Sequence, residues 1–153
     1  MNLNADRDYA ATIEDLVADS DAIVIGVLKP RSVVDSMSSD DEFHHLAQDF
    51  LVEEVLVGSV KVSETIPVLR SIRAEDVCPI VEFDARPLQV GDRYLFFLRL
   101  EKDIYVSSGG PQGQYSLDDG VLDAMTDRMP VVEEFDGKTV DAARQMIRAS
   151  ERP

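Results

Sequence analysis

Both histidines of the chain, His44 and His45, fall inside one acidic stretch, Asp40-Asp41-Glu42-Phe43-His44-His45. Imidazole and carboxylate side chains together make a workable ligand set for zinc or a similar metal ion, and a metal-dependent enzyme could be built on Asp41, His44 and His45. Their spacing argues otherwise. In an extended chain neighbouring side chains point to opposite faces, so the two imidazoles would not meet on one ion. A helical metal pair stands four residues apart, as in H-E-x-x-H. A solvated loop running into a strand accounts for the stretch better, and no metal or other cofactor is expected.

Ser-Ser-Gly-Gly-Pro-Gln-Gly-Gln-Tyr, over residues 107–115, is the second candidate. Its glycines would let backbone come close to a ligand, while polar side chains supply hydrogen bonds. Gly109, Gly110, Gln112, Gln114 and Tyr115 are therefore the candidate ligand-binding residues, although a hairpin loop has the same composition.

Other stretches fail on spacing. Phe-Asp-Gly-Lys-Thr at 135–139 lacks the glycine a phosphate loop needs, since Val132 stands there. Asp118-Asp119-Gly120 does not extend into a calcium loop, because Tyr115 occupies the place of an earlier ligand. Glu53-Glu54 and Glu133-Glu134 are adjacent pairs, and neighbours on a strand do not face one substrate. Cys78 sits among Val77, Pro79 and Ile80, which suits a buried, inert thiol. No catalytic constellation emerges, so the expectation is a non-enzymatic binding or interaction module.

Charge narrows the partner. The chain carries 30 acidic against 15 basic residues, a net charge of −15, which repels phosphate backbones and anionic lipid heads. Phe83, Tyr94, Phe96 and Phe97 could stack on bases, but that mode needs a positive groove, and core packing suits them better. A protein partner is expected, with no nucleic acid and no membrane insertion. One cysteine cannot make an internal disulfide, so either redox compartment is open. The opening residues lack the basic and apolar regions of a signal peptide, and a complete chain of this kind would be cytoplasmic.

The elements that must position these residues are mostly strands. At 153 residues the chain fits one domain, with residues 1–11 a candidate disordered lead and 31–42 a flexible, serine-rich and acidic loop. A short helix is expected over 12–20, capped by Thr12, then a buried strand over 21–30 with a bulge or a sharp bend at Gly26 and an end at Pro30. A long strand over 43–57 places Leu46, Phe50, Val52 and Leu56 on one face, and Leu51, Val55 and Val57 on the other. Gly58 to Lys61 reads as a tight hairpin connection into a strand at 63–71, where Pro67 marks an edge or a bulge. Further strands follow Gly91-Asp92 and Lys102-Asp103, a short extended piece covers 77–83, and Asp119-Gly120 turns a last hairpin. A closing helix runs from Thr139 to about Ala149, with Val140, Ala143, Met146 and Ile147 on one stripe. Together these give a mainly β fold, a small closed or partly open antiparallel OB-like barrel with an N-terminal and a C-terminal helix.

"LVADSDAIVIGVL", "VEEVLVGSVK…ETIPV", "LQVGDRYLFFL" and "IYVSSGGPQGQYSLDDGVL" resemble a class of small bacterial domains of uncharacterised function, which in turn resemble the OB-like barrel of netrin modules and the tissue inhibitors of metalloproteinases. The resemblance spans roughly residues 13–147 and rests on structural motifs, the glycine turn into a strand and the last hairpin. It implies an OB-like barrel, exported or envelope-associated, that binds something. The inhibitors act through an N-terminal cysteine and are pinned by disulfides. This chain begins Met-Asn-Leu-Asn and its one cysteine is Cys78, so that chemistry does not carry over.

Overall fold

The apolar runs Ala22-Ile-Val-Ile and Tyr94-Leu-Phe-Phe-Leu have no polar alternation, which marks strands buried on both faces. The computed structural model describes residues 10–32, 43–73, 89–101, 104–108, 110–126 and 131–151, and shows why. Strands β1 (Ala22–Ser32), β2 (Phe43–Val57), β3 (Thr65–Arg73), β4 (Arg93–Glu101) and β5 (Ile104–Ser107) close a ring in the order β1-β2-β3-β5-β4-β1. This is a small OB-like barrel. It is not wholly antiparallel as expected. An odd number of strands in a closed ring cannot alternate in direction all the way round, so one seam must be parallel. That seam is β3–β5, joined through Val68 opposite Tyr105. The edge or bulge expected at Pro67 is not found: β3 is flanked by β2 and β5, and Pro67 stands opposite Asp49 in unbroken register.

Two hydrophobic layers follow from the ring. Val24, Leu28, Phe50, Val52, Ile66, Val68, Tyr94, Phe96 and Leu98 fill the barrel interior. Ile23, Ile25, Leu95 and Phe97 point the other way, from the outer wall of β1 and β4. Against that wall pack α1 (Ile13–Ala18), β6 (Gln114–Asp118), β7 (Val121–Ala124), α2 (Val132–Phe135) and α3 (Val140–Ser150). β6 joins the sheet by pairing Leu95 with Tyr115, and β7 by pairing Leu117 with Leu122.

The long strand β2 departs from simple alternation. Between the pairs Ile25–Glu54 and Gly26–Val52 it holds one extra residue, Glu53, and between Ile23–Val57 and Val24–Val55 another, Leu56. Each bulge moves the side-chain alternation by one position. Val55 therefore faces the interior with Phe50 and Val52, while Leu56 packs with Val57 against the outer layer. The expected grouping of Leu56 with Phe50 is corrected accordingly. The irregularity expected at Gly26 is a bulge in the facing strand, at Glu53 of β2, and β1 continues through Pro30 to Ser32. The turn after β2 is also longer than a tight hairpin, running from Gly58 to Glu64 and closed by bonds between Val52 and the Ser63–Glu64 backbone.

Both long-range helices begin as their sequences dictate. The Thr12 hydroxyl accepts from the Asp15 N–H and the Thr139 hydroxyl from the Ala142 N–H, each at 3.1 Å. The Ala143 and Ile147 face of α3 is fully buried, with Val140 and Met146 beside it. The last hairpin turns at Asp119-Gly120 with φ of +58° and +79°, the pair a type I′ turn requires. The extended piece expected at 77–83 lies outside the described residues, as does the loop expected at 31–42 except for residues 31–32, which belong to β1.

Candidate functional site

Residues 107–115 are held by the fold rather than displayed by it. After β5 the chain makes a 3-10 turn, Gly110–Gly113, before entering β6. Gln112 in that turn has no exposed surface. Its Nε2 donates to the Ala10 carbonyl and its Oε1 accepts from the Ala10 N–H, each at 2.7 Å. Ala10, expected to fall in a disordered lead, is instead buried and bound. Ser108 is fully buried too. Its N–H donates to the Phe97 carbonyl at 2.8 Å, and its hydroxyl meets the Asp19 carbonyl and the Ser20 hydroxyl. The loop thus fastens both ends of α1 to the barrel. A Cβ on Gly113 would stand 2.5 Å from the Ser108 carbonyl oxygen and 2.9 Å from that of Phe97, so this glycine admits the protein's own backbone.

Of the remaining candidates, Gly110 opens the turn, Gln114 is half-buried opposite Phe96, and Gly109 lies outside the described residues. Tyr115 is fully buried. It meets Phe97 and Phe135 edge-on or tilted within an aromatic triad, with centroids 5.5–6.1 Å apart. Tyr94 and Phe96 stack at 5.4 Å inside the barrel, with Phe50 against Phe96 at 4.6 Å. These rings are core, with no face offered to a base.

The Tyr115 hydroxyl is buried and has no hydrogen-bond partner among the described residues. Burial raises its pKa well above the usual tyrosine range, and the nearby Asp136 and Glu134 carboxylates add to this. Two results are expected. Tyr115→Phe should stabilise the protein by about 1 kcal/mol, because an unsatisfied buried donor is removed with little change in shape. Above about pH 10 the unfolded chain loses this proton while the folded one keeps it, so stability falls by up to about 1.4 kcal/mol per pH unit. The variant should flatten that alkaline slope, as chemical denaturation at several pH values will show.

The acid pairs are accounted for differently. Glu53 meets Arg93 at 2.8 Å, and Glu54 meets the Arg144 Nε at 3.0 Å, with Asp141 on the same guanidinium. Arg144 so ties α3 to β2. Glu133 and Glu134 are both exposed. Among the described residues, no group of three His, Cys, Asp or Glu converges as a metal site. Asp40, Asp41, Glu42 and Cys78 lie outside those residues. His44 and His45 are placed only by backbone register, in β2 opposite Ile72 and Ser71.

Sequence reasoning missed one concave feature. A groove of about 700 Å³ opens between Glu14, Asp15, Val17 and Ala18 of α1, Leu56 to Gly58 after β2, and Ser150-Glu151 at the end of α3. Its three walls come from distant parts of the chain. The one available signal was the pair of acids in the first turn of α1, which also serves the helix dipole.

No protein-family model matches the chain, and no curated protein sequence matches it significantly. No described helix is long and apolar enough to cross a membrane.

Proposed function

We propose that this protein is a non-enzymatic binding module, an OB-like barrel of the netrin and metalloproteinase-inhibitor type, that engages a partner protein on its outer surface. One observation carries the reading. Gln112, a polar candidate of the glycine-rich loop, is buried and bonded to Ala10, and its neighbour Ser108 is bonded to Asp19 at the end of α1. Aromatic rings meanwhile fill both layers beneath them. A barrel filled in this way presents its exterior for recognition. A net charge of −15 favours a protein partner over nucleic acid.

Thermal unfolding of the full chain across divalent metals, with and without chelator, tests this against the metal-dependent alternative. No metal-specific shift is expected, and His44→Ala with His45→Ala should melt like the parent. A ligand at a hundred times its dissociation constant adds about 2.7 kcal/mol, easily seen. A chelator-reversible shift lost in the double variant would overturn the proposal in favour of a metal-dependent enzyme.

A further inference from the structure

We infer that the groove between α1, the end of β2 and the end of α3 docks a cationic, amphipathic helical segment of a partner protein. This rests on the binding-module reading and names its surface and its ligand chemistry.

The floor is apolar. Val17 is buried, and Leu56 and Val57 are half-buried and packed on the outer core layer. The rim is acidic and exposed, formed by Glu14, Asp15 and Glu151. None of these three carboxylates makes an ion pair among the described residues. Some acids elsewhere are paired with arginine, Glu53 with Arg93, Glu54 with Arg144, and Asp19 and Glu101 with Arg99. Among the described residues, no lysine or arginine lines the groove. The C-terminal end of α3 contributes there as well, since a helix carries partial negative charge at that end.

This combination selects the occupant. The carboxylates stand on two facing walls, Glu14 and Asp15 on α1 and Glu151 after α3, and do not converge on one ion, so the matching positive charge must itself be extended. A second copy of this chain would bring another −15 and be repelled. A helix with leucine-like side chains on one face and lysine or arginine beside them satisfies floor and rim together, in the helix-in-groove mode. A groove of about 700 Å³ is the size of a site that takes a few such side chains.

The test is a ¹H–¹⁵N NMR titration of the full chain with a synthetic Leu/Lys peptide of about 15 residues, long enough to hold a helix. Saturable shifts are expected at residues 14–18, 56–58 and 150–151, and none with the matching Leu/Glu peptide. Glu14→Gln, Asp15→Asn and Glu151→Gln together move the net charge from −15 to −12, and should weaken binding roughly tenfold. Asp92→Asn, Asp118→Asn and Glu133→Gln make the same charge change on other exposed residues and should have little effect. Equal weakening by both triple variants would overturn the groove, leaving only a diffuse negative field. Shifts confined to another face would overturn it while leaving the binding-module reading intact. Absence of binding to the Leu/Lys peptide would overturn the groove alone, since the metal titration tests the broader reading separately.

Discussion

Gln112→Ala is expected to destabilise the protein by about 2–4 kcal/mol, and to do so through residues 102 positions away. The glutamine satisfies both backbone groups of Ala10, a residue only 8% exposed. Alanine reaches neither, so a buried N–H and a buried C=O lose their partner at once. Each orphaned group costs about 1–3 kcal/mol. For a chain of this length the melting temperature should fall by roughly 5–15 °C. The Ala10 amide should also exchange with solvent much faster. Gln114→Ala, at a half-buried neighbouring position, is the control and should cost under about 1 kcal/mol. If Gln112 were a ligand contact, its loss would leave stability near that of the parent. A drop below about 1 kcal/mol with Ala10 still protected would therefore remove the clamp from the description.

The second large effect is expected at Gly26. A Cβ there would stand 2.1 Å from the Leu51 carbonyl oxygen and 2.8 Å from a ring carbon of Phe50. The oxygen belongs to backbone, and β1 is paired on both flanks, with β2 and with β4. Neither neighbour can step aside without opening the barrel. Gly26→Ala should cost about 3 kcal/mol or more, at the upper end of overpacking penalties. Gly26→Val adds two further carbons and should leave little folded protein. The midpoint of urea unfolding checks the first and soluble yield the second. A cost below about 1 kcal/mol for the alanine variant would show that β1 and β2 do not approach so closely at this point.

Much of the barrel was legible in local residue patterns. Unbroken apolar runs in β1 and β4 announced strands buried on both faces, and Asp119-Gly120 announced the last hairpin. Thr12 and Thr139 announced the helix starts. What failed did so for physical reasons. The phase of β2 is reset by bulges at Glu53 and Leu56, and those exist only because β1 must keep pairing with it. α2 spans four residues, too few for a helical period, and follows Val131 at φ +74°, a conformation a β-branched residue resists. The parallel β3–β5 seam follows from closing five strands, which no local pattern reports. Sites were harder still. Gln112 read as a surface ligand because its partner, Ala10, is remote in sequence. The groove needed three separate segments to come together before its exposed acids meant anything.

Amide hydrogen–deuterium exchange over the full chain, read with the Leu/Lys peptide and separately with zinc, tests the central claim most directly. The expected result is new protection with the peptide at 14–18, 56–58 and 150–151, and an unchanged pattern with zinc. Zinc-dependent protection at 43–48, or protection by either ligand confined to 108–115, would contradict it and return the function to the histidine cluster or the glycine-rich loop.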